Sequence, residues 1–173
     1  MKNIELYVPK IEDYWYEQKL QKDPYTMSYN AGYDVKYLGY DYNTGCIEFP
    51  KERWKDVYNS RNKKNKFFAY IKDNIINQFV GYVNYNYNSN YKRYDCGIVI
   101  EYKHRGKGYS KEALELLCYE AKKNNIKELY DNFEKDRENT LKIFKAVGFE
   151  IVKNQTWNKF NNEVEGVLVK IIL

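Results

Sequence analysis

The 173-residue sequence predicts a mixed α/β domain built on one sheet. Three observations predict it. Two stretches before residue 62 carry apolar residues at helical spacing, three Tyr- and Val-rich runs of strand character follow between 67 and 100, and from 109 onward helical and strand patterns alternate.

In order along the chain, residues 11–22 place Ile11, Tyr14, Trp15 and Leu20 on a first helix that ends before Pro24. Pro50 opens a second helix over 51–61, with Trp54, Val57 and Tyr58 on one face. The polar connection 59–66 leads to strands at 67–73 and 79–88, an antiparallel pair joined through 74–78. In the second of these, Phe79, Val83, Tyr85 and Tyr87 are expected on one face and Asn84, Asn86 and Asn88 on the other. Residues 86–92 then form a hairpin loop, and 94–100 make a third strand. Leu114, Leu117, Cys118 and Ala121 give the best helical stripe, over about 109–124. A short strand at 128–133 precedes a helix over 139–147 with Leu141, Phe144 and Val147 inward and Gly148 as its C-cap. Strands near 150–157 and 164–173 flank the polar loop 158–163. No repeat or long linker divides the chain, so residues 1–173 are expected to be one domain.

Composition narrows the function classes. Hydrophobic residues at 43% and charged residues at 31% mark a globular chain, and the 20 Tyr supply buried ring area that a mean hydropathy of −0.84 conceals. No apolar run is long enough to span a membrane, and residues 1–10 hold no signal-peptide segment, so a cytoplasmic protein with no membrane partner is expected. The net charge of +5 is modest, and only five basic residues are Arg. A nucleic-acid partner is therefore not expected, whereas an anionic small ligand suits the charge. Cys46, Cys96 and Cys118 form no CxxC and His104 is the single histidine, so free thiols and no metal are expected.

Chemistry concentrates between residues 98 and 110. The apolar strand Ile98-Val99-Ile100 runs through Glu101-Tyr102-Lys103-His104 into Arg105-Gly106-Lys107-Gly108-Tyr109-Ser110, which opens the amphipathic helix. Free N–H groups at a helix N-terminus, with glycines that allow close backbone approach, make an anion cradle. A dinucleotide fingerprint would need glycine where Lys111 stands, and a Walker loop would need four residues between Gly106 and the next Gly-Lys pair. Neither fits.

Arg105, Gly108 and Ser110 instead fill an Arg-x-x-Gly-x-(Gly/Ala) pattern, with Ser in the last place, which resembles the pyrophosphate loop of the GNAT superfamily of acetyl-CoA-dependent N-acetyltransferases. The run from Lys142 to Gly148-Phe149 is similar to that family's second motif. The resemblance is clear over about 67–150. It implies a mostly antiparallel central sheet of six to seven strands, flanked by about four helices and splayed between the fourth and fifth strands. It implies acetyl-CoA as acyl donor, with the pantetheine arm on the backbone of Ile98, Val99 and Ile100. The amides of Arg105, Gly106, Lys107, Gly108, Tyr109 and Ser110 would hold the pyrophosphate, with the Lys107 and Lys111 side chains nearby. Asn139 and Phe144 join the cofactor set by position. The partner would be a small-molecule or peptide amine, and the protein a monomer or homodimer.

A primary amine is protonated at neutral pH and must lose a proton before attack. Glu101 at the strand end is the first candidate base and Asp131 the second, though each reads equally as a solvated charge. The Ile100 amide is the candidate oxyanion donor. His104 reads as a surface residue. The sequence also departs from the family pattern. Phe144 stands where many relatives carry a proton-donating Tyr, with Tyr130 a candidate substitute, and Arg137 stands where relatives carry Asn, with Asn139 two positions on. These departures keep a second reading open, a non-catalytic acyl-CoA sensor. The aromatic residues Tyr14, Trp15, Tyr33, Tyr37, Tyr40, Tyr42 and Trp54 suit either an amine pocket or ordinary packing.

Overall fold

The computed structural model describes residues 3–61 and 63–173. Met1 and Lys2, at the N-terminal stretch, and Asn62, in the expected 59–66 connection, lie outside the described residues. One sheet of seven strands runs in the spatial order β1 (Ile4–Tyr7), β2 (Lys66–Asp73), β3 (Gln78–Asn88), β4 (Arg93–Ile100), β5 (Glu128–Glu134), β7 (Asn162–Ile172) and β6 (Glu150–Lys159). Every pairing is antiparallel except that of β4 with β5, which is parallel and consists of Asp95 opposite Tyr130 alone. Beyond that rung the two strands part. The helices are α1 (Trp15–Lys22), α2 (Pro24–Met27), α3 (Trp54–Arg61), α4 (Tyr109–Lys123) and α5 (Glu138–Val147). Among the described residues, no helix is long and apolar enough to cross a membrane.

The expected helices at 11–22 and 51–61 each begin with a 3-10 turn, Ile11–Tyr14 and Lys51–Arg53. The strand β1 has no counterpart in the sequence reading: four residues give too little alternation to register, and its pairing with β2 supplies what local pattern does not. Asp23 accepts hydrogen bonds from the Tyr25 and Thr26 amides, and Pro24 fills the first helical position, so α2 starts sharply after α1 stops.

Two layers cover the sheet. On one face Leu114, Leu117 and Ala121 of α4 and Phe144 of α5 pack on Ala69, Ile71, Val83, Leu129 and Val167, all buried. On the other, Tyr16 and Leu20 of α1 pack on Phe68 and Tyr70. One expectation about β3 is corrected. Val80 has no partner between the pairs Ile71–Gly81 and Lys72–Phe79, and this bulge turns Phe79 onto the α1 face with Tyr16 and Tyr70, away from Val83 and Tyr85. Gly81, next to the bulge, lies so close to β4 that an added Cβ would stand 2.1 Å from the Val99 carbonyl oxygen. The strand that carries the site is thus held tightly on one side and left open on the other.

Candidate active site

Strand β4 offers free backbone to the gap between itself and β5. The Glu101 amide donates to the Val80 carbonyl of β3, and backbone groups alternate along a strand. Val99 therefore turns its N–H and C=O toward β3, whereas Ile98 and Ile100 turn theirs toward the gap. The Ile100 carbonyl accepts from Arg105 Nε at 3.2 Å, in keeping with that phase.

After β4 the chain makes a 3-10 turn, Tyr102–His104, and enters the glycine loop. Gly106 and Gly108 have φ of +73° and +84°, and an added Cβ on either would meet nothing within 4 Å. Glycine is needed there for the left-handed backbone, and the space above the loop is open. Gly108 is the N-cap of α4, and no side chain caps that helix. The amides of Gly106, Lys107 and Gly108 find no partner among the described residues, which leaves a nest of donors at the positive end of a fifteen-residue helix. Lys107 is exposed beside it, and Lys111 lies 3.6 Å from Glu115, one turn along. Ser110 and Tyr109 sit in the first turn, with the Tyr109 hydroxyl donating to the buried Asp73 at 2.7 Å.

The two carboxylate candidates have different surroundings. Glu101 is buried at 5% exposure, and its carboxylate is held by Lys19 at 2.6 Å and the Tyr16 hydroxyl at 3.2 Å, with Lys103 at 3.5 Å. It ties the end of β4 to α1. His104 is also buried, not a surface residue, with Nε2 3.9 Å from Glu101 and burial holding its pKa down. Asp131 follows immediately on Tyr130, the last residue β5 pairs with β4, and so sits at the apex of the gap. It shares a strand face with Leu129 and Phe133, both buried, and this placement pushes its pKa up to about 7. The Asn132 amide, donating to it at 2.7 Å, and the nearby Arg137 charge oppose that shift.

Other expected residues lie apart from the gap. The Phe144 ring is 1% exposed, enclosed by Phe133 and Phe149 at centroid distances of 5.1 and 4.8 Å. Tyr130 points to the opposite face from Asp131, where its hydroxyl donates to Glu128 at 2.6 Å. Asn139 is exposed and does not cap α5, whose N-cap is Arg137. Tyr14 and Trp54 form a buried cluster with Phe49. Phe144→Tyr would bring an unpartnered hydroxyl into a filled core, so we expect a loss of about 1–3 kcal/mol, and a lower melting temperature in calorimetry. No gain in rate should accompany it.

Sequence reading missed what crosses the mouth of the gap. Residues 25–33 run from one rim to the other. At the β4 rim, Arg105 Nη2 donates to the Thr26 carbonyl at 2.7 Å, and the Tyr102 amide donates to Thr26 Oγ1 at 2.9 Å. At the β5 rim, the Tyr33 hydroxyl donates to Glu134 at 2.5 Å, and Lys159 also donates to Glu134, at 2.6 Å. Between these anchors lies Tyr29, its ring 5.6 Å from the Arg137 guanidinium. Nothing in local sequence separates Tyr29 from 19 other tyrosines.

A splayed α/β sheet with an anion cradle at the end of its fourth strand defines an acyltransferase-type architecture. Residues 33–149 match the model of the acetyltransferase (GNAT) family, and the chain belongs to that family. Its fold is that of a spermidine N-acetyltransferase from Vibrio cholerae crystallised with CoA and spermine, at TM-score 0.76 and 16% identity, covering 98% of this chain and 95% of that one. It is also similar to yncA from Salmonella typhimurium, solved with its cofactor acetyl-CoA (TM-score 0.75, 13% identity, 99% and 94% covered). A GNAT-family acetyltransferase from Streptococcus pneumoniae aligns at TM-score 0.77 and 13% identity, over 98% and 99% of the two chains. No curated protein sequence matches significantly.

Proposed function

We propose that the protein is an N-acetyltransferase that moves acetyl from acetyl-CoA to a primary amine by direct attack in a ternary complex. The observation that carries this reading is the join of open strand backbone to an uncapped glycine loop: Ile98 and Ile100 face the gap, and the amides of Gly106, Lys107 and Gly108 wait at its end. That arrangement suits a long ligand with an amide-bearing arm and a pyrophosphate. The cradle residues fit CoA chemically, since donors and positive dipole meet an anion with no acidic side chain in the loop. CoA supplies the thioester. The chain's own groups orient it and handle protons.

Asp131 is the better base. A carboxylate with a pKa near 7 is half ionised at neutral pH and basic enough to take a proton from an ammonium, directly or through water, whereas Glu101 is already neutralised by Lys19. The Ile100 amide, turned toward the gap, is the proposed donor to the oxyanion. An amine acceptor is supported by the Vibrio cholerae neighbour's complex with spermine and by the aromatic strap across the gap. The acceptor is a small-molecule or peptide amine, and the protein uses no metal.

Release of free thiol from acetyl-CoA, measured over a panel holding spermidine, spermine, simple alkylamines and lysine peptides, tests the reading. CoA binding in calorimetry without turnover on any of these would replace it with an acyl-CoA sensor. In the same assay format, Gly108→Val should weaken CoA binding by at least about tenfold with little change in fold. The branched side chain is strained at φ +84° and projects into the open space of the cradle. Equal affinities for variant and parent would remove the loop from the cofactor site.

A further inference from the structure

We infer that the acceptor is an amine that also carries a carboxylate, an amino acid, and that Arg137 binds this carboxylate beneath the strap of residues 25–33. The inference rests on the acetyltransferase reading above and narrows its acceptor. It follows from the balance of charge around the mouth of the gap.

The negative groups there are already held. Glu101 on the β4 rim is bound by Lys19 at 2.6 Å, and Glu134 on the β5 rim by Lys159 at 2.6 Å and by the Tyr33 hydroxyl. Farther along the sheet, Arg93 holds Asp95 at 2.6 Å and Lys170 holds Glu128 at 3.0 Å. Asp131 lies on the opposite face of β5 from Glu134, and the reading above gives it to the reacting amine. The rings of the strap are faced by the protein's own cations: Lys159 lies 5.2 Å from the Tyr33 ring and Arg137 5.6 Å from the Tyr29 ring. A polyamine, which needs a carboxylate or an open ring for each further ammonium, finds neither under the strap.

The unmatched charge is a cation. Arg137 is half-buried, and its amide donates to the Glu134 carbonyl at 3.1 Å, which fixes it between the end of β5 and the start of α5. Its guanidinium has no hydrogen bond or ion pair among the described residues, Asp136 beside it in the chain included, and it faces the Tyr29 ring. Arg105 on the other rim differs, since it gives its donors to the carbonyls of Ile100, Tyr25 and Thr26. No carboxylate offsets either charge, and burial together with the Arg137 charge lowers the Arg105 pKa. A half-buried guanidinium whose donors are all unspent suits a planar carboxylate, which it grips edge-on and bidentately. The cofactor's phosphates have other donors. The cradle amides stand at the N-terminus of α4, which covers the sheet face that holds Phe133, whereas Glu134, to which the strap is tied, points the other way. An acceptor bound at Arg137 keeps its carboxylate under the strap and its amine in the gap. Transfer then forms the C–N bond and breaks the C–S bond, whose electron pair stays on sulfur. Of the two protons the ammonium nitrogen loses, one ends on sulfur and one in solvent.

The test measures thiol release from acetyl-CoA with amines in pairs that differ only in the carboxylate: phenylalanine and phenethylamine, lysine and cadaverine, β-alanine and ethylamine. In the parent, kcat/KM for at least one amino acid should exceed that for its decarboxylated partner, and that for spermidine, by about tenfold or more. In Arg137→Gln the ratio within that pair should fall by about 10–100-fold, through KM and not kcat, with the calorimetric Kd for CoA within about twofold of the parent. Arg137→Lys, which keeps the charge without the fork, should fall between the two. A parent that prefers spermidine or the decarboxylated amines overturns the inference and leaves the acetyltransferase reading standing. A ratio unchanged in Arg137→Gln does the same. Weakened CoA binding in that variant would assign Arg137 to the cofactor and also overturn the inference. A parent that binds CoA but releases no thiol with any of these amines overturns the acetyltransferase reading and this inference together.

Discussion

Asp131→Asn is expected to lower kcat by about 10²–10⁴-fold while raising the melting temperature at pH 8. Both effects come from one placement. The carboxyl sits between two buried core residues of β5, and burial holds its pKa at about 7 against an ordinary value of 3.8. Below the unfolded value both states carry the proton. As pH rises past it the unfolded chain ionises first, so stability declines with pH until the native carboxyl also ionises, and the loss is complete above about 7. At pH 8 the native state holds a buried carboxylate that the amide variant lacks. Because Asp131 keeps partial contact with solvent, the gain is taken as about 1–2 kcal/mol, which is about 2–8 °C for a chain of this size. Near pH 3.5 the difference should vanish. Thermal melts across pH 3.5–8 check the stability arm and a thiol-release assay the kinetic one. A variant as active as the parent would remove Asp131 from catalysis even if the melting curves behaved as expected.

Arg61→Ala is expected to cost about 3–5 kcal/mol of stability, the largest single loss outside the site. Arg61 donates to both oxygens of Glu17 at 2.6 and 2.7 Å, and Glu17 is 2% exposed. The guanidinium also lies 3.6 Å from the Phe68 ring centroid. Truncation strands a buried carboxylate and strips the ring of its cover, and it unties α3 from α1. Replacing both partners with apolar residues, Glu17→Met with Arg61→Leu, should recover much of the loss because no charge is left unpaired. Urea denaturation of the three proteins decides it. A double variant no more stable than Arg61→Ala would show that the aromatic cover, and not the stranded charge, dominates.

Most elements were legible because their signals are local. The stripe of Leu114, Leu117 and Ala121 and the turn Arg105–Ser110 require only neighbours in sequence, and both stand where expected. Strand β1 carries too few residues to show a period, and the bulge at Val80 flips Phe79 through a register shift that β2 imposes from outside. The site divides the same way. Its anion cradle is contiguous and readable. Which carboxylate is paired depends on what stands across from it: Glu101 meets Lys19 of α1, a contact 82 residues apart in sequence, and Asp131 meets no ion pair among the described residues. The segment 25–33 was hidden for the same reason, since only the anchors at Thr26 and Tyr33 give it a position.

The single rung between Asp95 and Tyr130 makes the sheet a hinge with two leaves, β1–β4 and β5–β7, above a shared core. At the open end, the hydrogen bonds of Thr26 and Tyr33 form a tie-bar between the leaves. A donor whose acyl chain is longer than acetyl would spread the leaves without breaking a ladder, and the resistance it meets is the stretching of that bar. On the acetyl-CoA reading proposed above, selectivity for acyl-chain length would rest on residues 25–33, which also touch the cradle through Arg105 and bury Met27.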